Sequence, residues 1–178
     1  MKQLIGLTGK KGSGKDTACE MLAEIVKPLC LQRIGFADEV YNDLANMLGR
    51  PAWWIKENKE SFRLMLQGYA TDYRRKMQGD DYWIDRWEEK FINSSADIVV
   101  VPDVRFINEA AYIQKMGGVV WRINRPAVLS QIDLHISENE LDEFQFPTVD
   151  NSGSPQQMIE QLQKLYAVYS TQHPIAQG

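Results

Sequence analysis

The chain opens on a short apolar run, Gln3–Thr8, that ends in glycines, the pattern of a buried strand. Ala18, Cys19, Leu22, Ala23 and Val26 then recur at helical spacing over residues 15–26, with Pro28 just beyond, where a helix stops. Leu29–Phe36 reads as a second strand. Asp38–Leu48 predicts a helix capped by Asp38 and closed by Gly49 and Pro51. Ser61–Met77 predicts a longer helix stopped by Gly79, and Tyr82–Asn93 another. Asp97–Val101 is continuous and β-branched, as in a strand covered on both faces. Asn108–Met116 reads as a helix, Val119–Ile123 as a strand and Thr148–Asn151 as a short last strand. Pro155–Tyr169 reads as a C-terminal helix, with a loose tail from Ser170. Strands alternating with helices predict an α/β fold, a parallel sheet with helices on both faces. Residues 126–147, irregular, polar and acidic, are the candidate flap.

Composition narrows the class. The 178 residues are 44% hydrophobic and 25% charged, which fits one globular domain and excludes a mainly disordered, collagen-like or coiled-coil chain. No apolar stretch approaches the roughly 18 residues of a membrane span, and the N-terminal run is too short for a secretory signal, so a cytoplasmic protein is expected. Cys19 and Cys30 are too few for a disulfide scaffold, and both read as buried free thiols. The net charge of −4 argues against a nucleic-acid coat or an anionic membrane as partner. Residues 1–125 nevertheless carry 19 of the 20 basic groups and 17 of the 24 acids. Bases clustered around glycines suit a compact anionic ligand.

The chemistry starts at Gly9-Lys10-Lys11-Gly12-Ser13-Gly14-Lys15-Asp16-Thr17, which follows a predicted strand and opens a predicted helix. Gly-x4-Gly-Lys is the Walker A spacing: glycines let successive N–H groups curl around phosphate oxygens, the helix adds its positive end, and Lys15 reaches the outer phosphates. The residue after the lysine is usually a Mg²⁺-binding Ser or Thr; here it is Asp16. Asp16 either holds the metal, directly or through water, or merely favours the helix N-terminus. Thr17 is the alternative group for an inner phosphate. Asp103, just past Ile98–Val101, occupies the place of an acid that holds Mg²⁺ beside such a loop, with a turn or cap as the plainer reading. Arg105 is placed to meet a substrate phosphate or to pair with Glu109.

On Ser61–Met77, Phe62, Leu66, Tyr69, Tyr73 and Met77 form one apolar stripe, while Arg63, Gln67, Thr71 and Arg74 share another face. Two guanidiniums with an amide and a hydroxyl between them suit a phosphate and a base edge; a solvated face is the alternative. Arg122 and Arg125 flank the end of the fourth strand, where kinase lids carry arginines for the transferring phosphoryl group. Ser137 with Glu140 fits a capping box, and His135 stays open. Asn151-Ser152-Gly153-Ser154 precedes the last helix as a base-contacting loop or a plain cap.

The phosphate loop, LQGYATDYRR followed by DDYW, PDVRFINEA, RINRP, HISE and DNSGS occur in this order. Together they resemble the phage-type deoxynucleoside monophosphate kinase family from about Leu4 to Leu165. The resemblance implies a three-layer P-loop NTPase fold of the nucleoside monophosphate kinase type. Its five-stranded parallel sheet would carry a helical substrate-binding region (about 38–94) and a lid (about 125–147) within one domain, 1–178. It implies transfer of the ATP γ-phosphate, with Mg²⁺, to a deoxynucleoside 5′-monophosphate, and a homodimer at family level; a phage-encoded kinase would work in the host cytoplasm. By matching position, Gly9 to Thr17 would bind ATP phosphates, Asp103 would position Mg²⁺, and Asp38, Arg63, Gln67, Arg74 and Arg105 would hold the acceptor. Arg122 or Arg125 would act from the lid, and Asn151 and Gly153 would lie near adenine. Rivals are dephospho-coenzyme A kinase and phosphomevalonate kinase. A GTP switch lacks its Asn-Lys-x-Asp element, since Asn58-Lys59 is followed by Glu60-Ser61. A nucleic-acid end kinase lacks a long basic stripe.

Overall fold

The computed structural model describes residues 2–126 and 139–175. In chain order these form β1 (Gln3–Thr8), α1 (Lys15–Ile25), β2 (Leu31–Arg33), α2 (Asp38–Leu48), α3 (Ala52–Glu57) and α4 (Arg63–Gln67). A π-helical stretch, Gly68–Arg75, then runs into α5 (Lys76–Gln78) and α6 (Tyr82–Asn93). β3 (Ile98–Val101), α7 (Ile107–Lys115), β4 (Val119–Asn124), β5 (Thr148–Asp150) and α8 (Pro155–Gln172) complete the chain. Two compact units emerge, one from residues 1–34 and 94–178, the other Gly35–Asn93. No helix among the described residues is long and apolar enough to cross a membrane.

The first unit is an α/β sheet of five parallel strands in the order β2-β3-β1-β4-β5. All six residues of β1 and all four of β3 are buried, as a strand covered on both faces must be. One face carries α1 and α8, whose Ala18, Cys19, Leu22, Met158, Leu162 and Tyr169 pack with Leu7, Trp121 and Ile123. Tyr169 also ties α8 to β1: its hydroxyl accepts from Leu4 N at 3.0 Å and donates to Leu4 O at 3.2 Å. That anchor explains why α8 continues to Gln172 instead of fraying at Ser170. His173 packs its ring on Tyr169, and Gln3 Nε2 donates to His173 O at 2.6 Å.

Four other expectations change. β2 is three residues long because only Leu31–Arg33 has a partner strand, Ile98–Val100. Cys30, just before it, is exposed, whereas Cys19 is buried as expected. In the second unit Pro51 does not simply end α2; it is the N-cap of α3, whose Ile55 is fully buried. The helix expected over Ser61–Met77 changes pitch. With the π stretch in its middle, the apolar stripe stays partly buried at Phe62, Leu66 and Tyr69. Tyr73 and Met77 come out 54% and 71% exposed.

Candidate active site

β1 ends in the interior of the sheet, so the chain must turn sharply to enter α1. Gly9, Gly12 and Gly14 make the turn with φ of 135°, 77° and 101°, values that L side chains rarely adopt. Space forbids side chains at two of them as well. A Cβ on Gly9 would lie 2.2 Å from the carbonyl oxygen of Ile123 on β4, and one on Gly14 would lie 2.4 Å from Asn151 Nδ2. The first α-helical bond runs from Ala18 N to Gly14 O at 2.9 Å, so the N–H groups of Lys15, Asp16 and Thr17 have no acceptor within the helix. Lys15 Nζ reaches back over the loop and donates to Gly9 O at 2.6 Å and Lys10 O at 3.0 Å. Ser13 is 2% exposed, and its hydroxyl has no hydrogen-bond partner among the described residues. A buried hydroxyl left so costs about 1–3 kcal/mol, and an incoming phosphate oxygen would relieve it.

Asp16 lies on the first turn of α1 and pairs with Arg33 of β2 at 2.9 Å. Asp103 follows β3 by two residues. Both carboxylates act on Cys19: burial pushes this thiol up to about 12, the Arg33 charge opposes the rise, and Asp16 and Asp103 add to it. Sequence reasoning missed Arg33, which sits in a short exposed strand with no motif around it.

Two cavities open beside the loop. One, of about 410 Å³, is lined by Thr17 and Met21 of α1, by Arg125, and by Asn151, Ser152 and Gly153 with the start of α8. The other, of about 220 Å³, lies against Gly9, Lys10 and Ser13, with Arg122, Arg125 and Asp142 opposite. Arg125 borders both. Arg122 lines the second cavity with its guanidinium already engaged: it donates to Leu141 O at 2.6 Å and Phe144 O at 2.9 Å and lies over the Phe146 ring. Lys10 Nζ donates to Asn139 Oδ1 at 2.8 Å and Asp142 Oδ2 at 2.6 Å. Neither partner carries a sequence signal. Arg105 borders a small recess with Gly9 and Arg122. Its N–H and that of Phe106 donate to the buried Glu109 carboxylate, which opens α7. Lys11 is exposed at the loop's tip. His135 and Ser137, and with them most of the candidate lid, lie outside the described residues.

The second unit holds Asp38, Arg63, Gln67, Thr71 and Arg74. Asp38 Oδ2 accepts from Gly35 N at 2.9 Å, and Oδ1 pairs with Lys56 at 2.8 Å. Arg63 lies 3.9 Å from Glu60. Gln67 and Thr71 are half-buried. Arg74 follows the π register: its Nε donates to the hydroxyl of Tyr69, five residues back, at 2.7 Å, the i→i+5 spacing of that helix. Its guanidinium lies over the rings of Tyr69, Tyr73 and Tyr82 and pairs with Asp43 at 3.4 Å. Asp43 also pairs with Arg86 at 3.3 Å, and Arg86 with Glu39 at 2.5 Å. Burial alone would raise the Glu39 carboxyl, but hydrogen bonds from Lys90 and Arg86 and the Lys90 charge outweigh it and hold it at about 2. The expected single face of Arg63, Gln67, Thr71 and Arg74 assumed α-helical pitch throughout, which the π stretch breaks.

Among solved structures, a shikimate kinase from Aquifex aeolicus aligns with a TM-score of 0.53 and 14% identity over 97% of this chain and 99% of its own. A sugar kinase from Janibacter sp. aligns at 0.52 and 13% identity over 100% of both chains. At such identities these show a shared fold alone. A protein of Acanthamoeba polyphaga mimivirus, provisionally named a deoxynucleotide monophosphate kinase, is 31% identical over 166 residues, covering 78% of this chain and 81% of its own. The deoxynucleoside-5′-monophosphate kinase of Escherichia phage T5 is 25% identical over 65% of this chain and 73% of its own. Residues 41–162 match the deoxynucleotide monophosphate kinase family, downstream of the phosphate loop. Since that match spans more than half of its length and agrees with a relative above 30% identity, the chain belongs to the deoxynucleotide monophosphate kinase family and is a phosphotransferase.

Proposed function

We propose that the loop Gly9–Thr17 binds the triphosphate of ATP and that the enzyme transfers its γ-phosphoryl group to a deoxynucleoside 5′-monophosphate. The observation that carries this reading is the loop itself: three glycines at positive φ, N–H groups of residues 15–17 that have no acceptor within the helix, and a buried Ser13 hydroxyl with no hydrogen-bond partner among the described residues. Lys15 exchanges the carbonyls of Gly9 and Lys10 for phosphate oxygens and follows the charge outward. Arg125, which borders both cavities, neutralises charge on the transferring group, while Arg122 holds residues 141–144 in place. The adenosine end occupies the larger cavity. In the second unit Asp38, Arg63, Gln67, Thr71 and Arg74 bind the acceptor, with Arg105 as a further phosphate contact.

Asp16 and Asp103 offer the hard oxygen ligands that Mg²⁺ prefers, and the Arg33 partner of Asp16 is exposed enough to yield. Bound there, the ion would neutralise charge on the phosphates. The acceptor phosphate is already an anionic nucleophile near neutral pH. The protein's task is therefore positioning and exclusion of water, with no general base required.

The reading is tested by ADP release from ATP and Mg²⁺ with dAMP, dGMP, dCMP, dTMP, the ribonucleotides, dephospho-coenzyme A and phosphomevalonate as acceptors. Turnover confined to deoxynucleotides supports it. Turnover of another acceptor alone keeps the donor site and removes the acceptor assignment.

A further inference from the structure

A phosphate loop imposes a constraint on each of its peptides. An N–H turned toward the ligand turns the preceding carbonyl away from it, and that carbonyl needs its own partner. Ser13 O has one. The side-chain amide of Asn151 donates to it at 2.8 Å, across 138 positions of sequence. Asn151 is itself held on two sides. Its backbone N–H donates to Asn124 O at the end of β4, at 2.7 Å. Asp150, before it, is clamped to α8 by Gln161, which accepts from Asp150 N and donates to Asp150 O, both at 2.9 Å. The amide also lies hard against Gly14, where a Cβ would come within 2.4 Å of it. Two parallel strands and a helix thus converge, through one side chain, on the peptide between Ser13 and Gly14.

We propose that Asn151 is a positioning residue for the phosphate cradle: it fixes the Ser13–Gly14 peptide so that Gly14 N–H faces the donor's phosphates. One of its two amide hydrogens is committed to Ser13 O, which assigns Asn151 to the triphosphate although it borders the larger cavity. This rests on the reading of the loop as the donor site.

Inorganic tripolyphosphate carries the phosphates without a base, and so separates the two roles. Its dissociation constant and that of ATP are measured by calorimetry for the wild type, Asn151→Ala and Asn151→Leu; the leucine fills the volume without a donor. Loss of one oriented hydrogen bond predicts that both ligands weaken by the same factor, about five- to tenfold, in both variants. The KM for the monophosphate and the ligand-free melting temperature stay near the wild-type values. The proposal is overturned if ATP weakens while tripolyphosphate does not, which would make Asn151 a base reader. It is equally overturned if the leucine variant binds like the wild type, or if the KM for both substrates rises together with a fall in melting temperature. A wild type that binds neither ligand would remove the donor-site reading and this inference with it.

Discussion

Lys15 spends its hydrogen bonds on two carbonyls of the loop that it follows. Those bonds hold the ammonium over the loop, and Lys15 lies outside the buried core. Lys15→Ala should therefore lower kcat by at least about 10²-fold, the scale of losing one charge-stabilising donor, with an unchanged thermal melt; near-normal turnover would sink the donor-site assignment. Gly14 is the opposite case. Its φ of 101° and its contact with Asn151 leave no room for a methyl group, so Gly14→Ala should weaken ATP binding more than Lys11→Ala does, read by calorimetry. Arg74→Ala should raise the KM for the monophosphate roughly tenfold or more while that for ATP moves little. Equal effects would take Arg74 out of the acceptor site. The loop was legible in the sequence because its chemistry is local, nine residues with fixed spacing. Asp43, Tyr69 and Tyr82 were not legible as a setting for Arg74, because their meeting depends on three helices and on a change of pitch.

The helices of the second unit are joined by charge as much as by apolar packing. Glu39 of α2 receives Arg86 and Lys90 of α6. Its carboxyl is held at about 2 in place of 4.5. A depressed acid adds stability above its ordinary value and loses it as pH falls through the folded one. Stability should therefore decline between about pH 5 and pH 2, by roughly 2–3 kcal/mol from this group. Glu39→Gln should flatten that part of the curve, measured by urea midpoints across pH; an unchanged slope would show that another group dominates. Periodicity found α2 and α6 at their observed bounds, since each carries a complete apolar face. It missed α3, where Pro51 looked like a stop and was a start. It also smoothed over the π stretch, because a 3.6-residue period was imposed on a segment that does not keep it.

The five strands described lie in the first unit, whose two segments, 1–34 and 94–178, are joined near their ends: Ser94 Oγ donates to Gln32 Oε1 at 2.6 Å. Replacing Gly35–Asn93 by a short Gly/Ser linker should leave a protein that binds tripolyphosphate and transfers nothing. Loss of both would show that the sheet needs the insert to fold. The parallel α/β character was readable from the alternation of strands and helices. The strand order was not, since nothing local tells β1 that its neighbours are β3 and β4.

That order shapes how the chain must fold during synthesis. Gln3 pairs with Ile98, 95 positions later, and Ile5 with Val119. Such non-local pairing is slow, because loop closure must precede any gain from contact. On the ribosome β1 emerges before either partner and stays an unpaired, largely apolar strand until they have followed. The strand that leads into the Gly9–Thr17 loop is thus the one most exposed to mispairing with other nascent chains, and the yield of the protein in cells should respond to translation speed and chaperone supply.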